Sequence, residues 1–99
     1  IPSPSASTAA STTIPVSATS ISFLAARPNR KNLIIANNSN QDLFIDFDAV
    51  AIGDHCIKIP KIAASGFIAT YELENYTGVV SGIWQATGTG AALIREMVL

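Results

Sequence analysis

The sequence is poor in the residue types on which disulfides and transition-metal sites depend. Its 99 residues include one cysteine and one histidine. The single Cys56 excludes an internal disulfide framework and a cysteine-rich zinc site. His55 alone excludes a transition-metal site with several imidazoles within one chain. These absences are compatible with assembly in a reducing cytoplasm.

The sequence also lacks long apolar runs and has little charge. No run approaches the roughly 18 apolar residues that a membrane-spanning helix needs, and the N-terminus lacks the basic and apolar regions of a signal peptide. Charged residues make up 13% of the chain and the net charge is -1, against about 25% charged residues in ordinary globular domains. We therefore expect no membrane partner and no direct contact with nucleic acid. The shortage of charge favours a surface partly covered by protein partners.

The first 26 residues carry no charge at all. Their first part is rich in Ser, Ala and Pro, which oppose a helix and a central strand and offer little to bury. We predict an extended N-terminal arm over residues 1–19 and a β-sandwich domain over residues 20–99. The arm is expected to lie along a neighbouring protein. Its strand-like part, residues 13–16, is suited to adding to another sheet edge, and Pro15 restricts it to an edge or a bulge.

Short alternating segments follow one another along the rest of the chain. About seven or eight of them, separated by turn residues, predict an all-β fold, a single small antiparallel β-sandwich or flattened barrel. We expect residues 33–36 and 43–48 to form one hairpin, and residues 79–84 and 92–98 another. Gly82 inside a strand indicates a bulge or a close backbone approach. The predicted core consists of Ile34, Ile45, Phe47, Ile57, Phe67, Ile83, Trp84 and Leu93.

The residue types that could carry out chemistry are few and poorly arranged. Asp46 and Asp48 share one strand face at roughly 7 Å, which could suit Ca²⁺ or acid–base work, but a solvent-facing edge that discourages strand pairing is the favoured interpretation. His55 and Cys56 are neighbours on a strand and point to opposite faces. No nucleophile, zinc-protease or phosphate-loop motif is present. We predict no catalytic, cofactor or metal site, and no enzyme.

Two further features suggest binding. Arg27, Arg30 and Lys31 form the one cationic cluster of the sequence. This cluster could contact packaged nucleic acid or an acidic patch, and a salt-bridge partner in a neighbouring subunit is favoured over simple solvation. Trp84 is expected in the core with its N–H bonded, and stacking on a sugar is the alternative.

Four stretches carry a resemblance to a known class of proteins. They are the basic cluster with Leu-Ile-Ile and Asn-Asn-Ser (residues 27–39), Leu-x-Ile-x-Phe (43–47), a strand ending in tyrosine (67–71), and Tyr-Thr-Gly through Ser-Gly-Ile-Trp to Glu (76–96). The pattern resembles small virion proteins of tailed bacteriophages, namely capsid cement or decoration proteins, or collar, neck and fibre components. The resemblance implies a β-sandwich that oligomerises, often as a trimer, and that adds no chemistry.

The expected function is therefore that of a structural virion protein, a capsid decoration protein that binds and stabilises the major capsid shell. The alternatives are a neck, tail or baseplate adaptor or fibre-attachment protein, and a carbohydrate-binding module for host attachment. The expected partners are the major capsid protein or other virion proteins, together with further copies of the chain, and no cofactor is expected. The expected interface residues are Ile1, Pro2, Pro4, Ile14, Val16, Arg27, Arg30 and Lys31.

Overall fold

The structure, a computed structural model, describes residues 8–47 and 57–99. These residues form eight β-strands and no helix. The strands are β1 (Thr8–Pro15), β2 (Ile21–Leu24), β3 (Arg30–Ser39), β4 (Leu43–Asp46), β5 (Ile57–Ile59), β6 (Thr70–Glu74), β7 (Val80–Trp84) and β8 (Gly90–Val98). They build two four-stranded antiparallel sheets, sheet A in the order β1-β8-β3-β6 and sheet B in the order β2-β7-β4-β5. The expected all-β, antiparallel sandwich is confirmed.

Alternation of side chains along the strands builds the core. In β3, Leu33 and Ile35 are buried while Ile34 is half-buried on the other face. In sheet B, Leu43 and Ile45 of β4 are completely enclosed. Both sets belong to one hydrophobic cluster, so the inner faces of the two sheets meet and the outer faces are left to the surroundings.

Neither expected hairpin forms. β3 and β4 lie in different sheets, and so do β7 and β8. Each pair is joined by a connection that crosses from one sheet to the other. The crossing allows Leu33 and Ile35 to pack against the apolar residues of β4, whereas a hairpin would place all of them on one sheet with no second layer.

The N-terminal boundary differs from the expected arm. Residues 8–15 form β1, which pairs with β8 without interruption from Thr8↔Val98 to Pro15↔Ala91. β1 is an edge strand, as Pro15 required. Ile14 and Val16 pack against the protein's own core. The expected interface residues Ile1, Pro2 and Pro4 lie outside the described residues.

The predicted core is partly correct. Ile45 and Trp84 are buried, and Phe47 and Ile57 are partly buried against the core. Ile34, Ile83 and Leu93 are only half-buried, because each is one residue out of phase with the inward-facing positions of its strand. Phe67 was predicted wrongly: it is 68% exposed, in a connection that ends where β6 begins at Thr70.

Gly82 lies in close contact with the ring of Phe23, as expected for a glycine inside a strand. The pairing of β2 with β7 shifts between Ser22 and Leu24, and this bulge lets the consecutive Phe23 and Leu24 both be buried. The ring of Phe23 covers Gly82, so a Cβ at Gly82 would lie 2.7 Å from Cε1 and from Cε2 of that ring. The ring also packs on Trp84, with 5.6 Å between centroids.

We therefore expect Gly82→Ala to lower the free energy of unfolding by about 1–3 kcal/mol, since the ring must move into a packed core. Urea denaturation of the wild type, Gly82→Ala, Phe23→Leu and the double variant measures this as a cycle. The alanine should cost less in the Phe23→Leu background. An equal cost in both backgrounds would contradict the assigned contact.

Candidate functional site

Two of the three residues in the predicted cationic cluster, Arg27 and Arg30, form ion pairs with Glu96 of the same chain. Arg30 is 3% exposed. Its Nε–H donates to Oε2 of Glu96 at 2.7 Å. Its other guanidinium nitrogens donate to backbone carbonyl oxygens, those of Ala25 (2.7 Å), Gly78 (2.9 Å) and Tyr76 (3.3 Å). The Arg30 side chain thus links the connection after β2 and the connection after β6 to β8, an interior strand of sheet A.

Arg27 and Lys31 flank this buried group. Nη1 of Arg27 donates to Oε1 of Glu96 at 3.3 Å, and the Arg27 side chain is 40% exposed. Lys31 is half-buried and lies at the register shift between Arg30 and Asn32. The shift explains the position of Arg30, because strict alternation from Leu33 would direct residue 30 outwards. The partner of both arginines is therefore Glu96 of the same chain. The sequence pattern had favoured a salt-bridge partner in a neighbouring subunit.

A second buried polar cluster lies where β3 ends and the chain crosses to β4. It consists of Asn37, Ser39 and Trp84, each no more than 1% exposed. The Asn37 amide nitrogen donates to three backbone carbonyl oxygens, those of Gln41 (2.9 Å), Ile59 (2.9 Å) and Pro60 (3.1 Å). Its Oδ1 accepts from the Ser39 hydroxyl at 2.5 Å and from the Trp84 indole N–H at 3.3 Å.

This cluster decides between the two interpretations of Trp84. The indole N–H also reaches the Ser39 Oγ at 3.1 Å, and the ring is enclosed. Trp84 is confirmed as a core residue with a bonded N–H. It offers no face on which a sugar could stack.

Two of the three exposed large apolar side chains among the described residues lie in the connection between β5 and β6. We call residues 63–68 the Phe67 tip. Phe67 is 68% exposed and Ile68 is 37% exposed. The tip is a tight turn: the Gly66 N–H donates to the Ala63 carbonyl at 2.8 Å, and the Ala63 N–H donates to the Phe67 carbonyl at 3.1 Å. Gly66 has a φ of 88°, a conformation that favours glycine.

Both ends of the Phe67 tip are attached to β3. The Ile62 N–H donates to the Ser39 carbonyl at 2.9 Å, and the Asn37 N–H donates to the Ala69 carbonyl at 3.0 Å. The same two β3 residues carry the buried polar cluster. The tip is therefore held in a fixed place at one end of the sandwich, with its apolar side chains projecting into solvent.

A small charged group stands beside the base of the tip. Oδ1 of Asp42 accepts the Lys61 backbone N–H at 3.0 Å, and Oδ2 lies 3.4 Å from Nζ of Lys58. The Lys61 N–H, and then the charge of Lys58, lower the pKa of Asp42 below its ordinary value against an opposing effect of partial burial.

Because the folded-state pKa of Asp42 is lower than in the unfolded chain, its stabilising contribution is present above about pH 4 and is lost as the pH falls through the folded-state pKa. We expect Asp42→Asn to lower the free energy of unfolding at neutral pH by about 0.2–1 kcal/mol and to reduce its decline in acid. Urea denaturation between neutral and strongly acidic pH measures both. Glu72→Gln, which changes an exposed carboxylate on the other sheet, is the matched control. At neutral pH its cost should stay within about 0.5 kcal/mol.

The described residues contain no pocket and no group of three or more His, Cys, Asp or Glu residues placed to hold a metal ion. Asp46 accepts the N–H of Phe47 at 2.8 Å, whereas Asp48, His55 and Cys56 lie outside the described residues. Across residues 8–47 and 57–99 there is no helix long and apolar enough to cross a membrane.

Sequence reasoning missed the Phe67 tip and the polar cluster, although each left a signal. Phe67 and Ile68 are consecutive, so a regular strand without a bulge and with one covered face would bury one of them at most. They directly follow the turn residues Ser65 and Gly66. Asn37 and Ser39 continue the odd-numbered, inward-facing series of Leu33. Polar residues on a core-facing series indicate a buried hydrogen-bond network.

Comparison with known proteins returned no similarity. Family models, curated proteins and solved structures were compared with the chain, and none of them matched. The function is therefore argued from the residues themselves.

Proposed function

We propose that this chain is a structural, non-enzymatic protein that docks on a larger protein assembly. Specifically, we propose a capsid decoration protein that binds and stabilises the major capsid shell of a tailed phage. The Phe67 tip is the observation that carries the docking part of this proposal. The resemblance of residues 27–39, 43–47, 67–71 and 76–96 to small virion proteins carries the identity of the assembly.

The Phe67 tip has the properties of an interface anchor. Aromatic side chains are enriched at protein interfaces, and full burial of one such side chain contributes about 1.5–3 kcal/mol. Phe67 stands 68% exposed on a turn closed by its own backbone hydrogen bonds. Because the turn is already ordered, binding costs little conformational entropy. Most of the free energy gained by burying the phenyl ring then contributes to affinity.

The distribution of charge supports a protein partner. Of the six Lys and Arg residues, Arg27 and Arg30 pair with Glu96 and Lys58 pairs with Asp42, which leaves three to neutralise phosphates. Nucleic-acid affinity depends on many such contacts. An apolar anchor with sparse charge fits a protein surface better.

The resemblance also implies self-association, often as a trimer, and we include a homo-oligomer in the proposal. A neck or tail adaptor would use the same anchor on a different part of the particle. Copy number separates the two, since a decoration protein covers the head and an adaptor occupies one vertex.

Phe67→Ser is expected to weaken binding to the shell without loss of stability. Losing one buried phenyl ring should reduce affinity by about 10-fold to 100-fold, while the free energy of unfolding should stay within about 0.5 kcal/mol of the wild type. Co-sedimentation with shells that lack this chain measures the affinity, and urea denaturation measures the stability. Leu99→Ser, which changes another exposed apolar residue (50% exposed), is the matched control.

Electron microscopy of particles of the encoding phage, labelled with an antibody to this chain, tests where it resides. We expect label spread over the head. Label at one vertex would support the adaptor, and absence of the chain from purified particles, checked by mass spectrometry, would overturn the virion assignment. Equal binding by the wild type and Phe67→Ser would overturn the role of the tip.

A further inference from the structure

The two sheets have four edge strands, and three of these carry features that hinder pairing with another strand. β6 carries Glu72 and Glu74 on its exposed face. β2 is interrupted by a register shift. β5 has three residues and is followed by Pro60. Charge, bulges, shortness and proline are the usual ways in which proteins block a sheet edge.

β1 carries no charge and no bulge, and it is not short. Its one proline, Pro15, is its last residue. It is eight residues long, carries no charge, and keeps an unbroken register with β8. A long, regular, uncharged edge of this kind is a template for strand addition. Among the edges of the described sandwich, β1 is thus the one built to accept another strand.

The register shows which backbone groups of β1 face outwards. The Val16 N–H donates to the Gly90 carbonyl at 3.3 Å, directly beyond the pair Pro15↔Ala91. In an antiparallel ladder, hydrogen-bonded pairs alternate with non-hydrogen-bonded pairs. The even-numbered residues of β1 therefore bond to β8. The N–H and C=O groups of Ala9, Ser11 and Thr13 point away from it, as does the carbonyl of Pro15.

We propose that β1 pairs with β1 of a second copy of this chain, antiparallel, about a two-fold axis through Ser11. In this register Ser11 lies opposite Ser11 of the second copy, and Ala9 lies opposite Thr13. Three hydrogen-bonded pairs form, each with two N–H···O bonds, so every outward-facing N–H of the three residues is used. Pro15, which has no N–H to offer, falls at the end of the ladder.

The side chains permit this pairing. Ala9, Ser11 and Thr13 are small and exposed on the outer face of sheet A, and no charged residue of β1 meets a like charge across the axis. The two copies of sheet A would join into one continuous eight-stranded sheet. This inference does not depend on which assembly the protein decorates. It replaces the trimer that the resemblance implies by a dimer, because a two-fold contact through one edge strand closes at two copies.

Analytical ultracentrifugation of the full chain over a concentration series tests the pairing. The wild type should pass from monomer to dimer as its concentration rises. Ser11→Pro should remain monomeric, because it removes the central pair of N–H donors while leaving every bond to β8. Ser11→Ala keeps the backbone donors and should dimerise like the wild type. A wild type that stays monomeric or forms a trimer, or a Ser11→Pro dimer, would overturn the proposal.

Cross-linking gives a second readout that does not depend on how well Ser11→Pro folds. In a Cys56→Ser background, Ser11→Cys places two thiols opposite each other, with Cα atoms about 5.5 Å apart and within disulfide range. Thr13→Cys, on the same edge and face, leaves its two thiols four residues out of register, roughly 13 Å apart. Oxidation should yield a covalent dimer of the Ser11→Cys variant and little of the Thr13→Cys variant. Equal yields would overturn the Ser11-centred register.

Discussion

Replacing Arg30 with methionine is expected to lower the free energy of unfolding by about 3–5 kcal/mol, because it leaves the Glu96 carboxylate buried without its closest partner. The same change removes the donors that satisfy the carbonyls of Ala25, Tyr76 and Gly78. A loss of this size is a large part of the roughly 5–15 kcal/mol that stabilises an ordinary domain. Urea denaturation followed by Trp84 fluorescence measures it.

Arg95→Met is the matched control, since Arg95 is exposed on the outer face of the same strand as Glu96. Its cost should stay within about 0.5 kcal/mol. The double variant Arg30→Met/Glu96→Leu should be more stable than Arg30→Met alone, because it removes both buried charges together. A double variant less stable than the single one would show that Glu96 does not depend on Arg30.

Asn37→Asp is expected to be the second severe change, with a cost of about 3–5 kcal/mol. The substitution conserves shape but replaces an N–H donor by an acceptor that faces three carbonyl oxygens. It leaves buried acceptors unsatisfied and adds a charge in an enclosed site. Urea denaturation at neutral pH measures the cost.

Asn38→Asp makes the same chemical change one residue along β3, on the half-buried outer face, and should cost far less. Since the Phe67 tip is attached to Asn37 and Ser39, Asn37→Asp should also raise amide hydrogen exchange at Ala63 and Gly66 in molecules that remain folded. Unchanged exchange at the tip would contradict its dependence on the cluster.

Local patterns predicted the number and approximate position of the strands, because the alternation of apolar and polar residues can be seen within each short segment. The pairing of strands was beyond those patterns. Residues 43–47 could return beside β3 or cross to a second sheet. They cross because β3 lies between β8 and β6, while β4 pairs with β7 in the other sheet. Runs adjacent in sequence, such as those of β7 and β8, therefore looked like hairpins although each pairs with remote strands.

The candidate site was predicted less well for a related reason. A one-residue register shift at Lys31 reverses the direction of Arg30, and a shift of this kind depends on the partner strand. The sequence predicts that Phe67 lies in a strand ending in tyrosine, over residues 67–71. The pairing of β3 with β6 ends at Ala36↔Thr70, which leaves Phe67 beyond the sheet.

The position of β8 has a consequence for the order in which the protein can fold. β8 lies in the interior of sheet A, between β1 and β3, and is the last of the eight described strands to be synthesised. Until it leaves the ribosome, β1 has no partner within the described sheet and β3 has only β6. Sheet A therefore cannot be completed before all eight strands have been made, and the pairing of residues as distant as Thr8 and Val98 makes that step slow. A nascent chain halted before Gly90 would expose the uncharged edge of β1, so translational stalling carries a risk of aggregation.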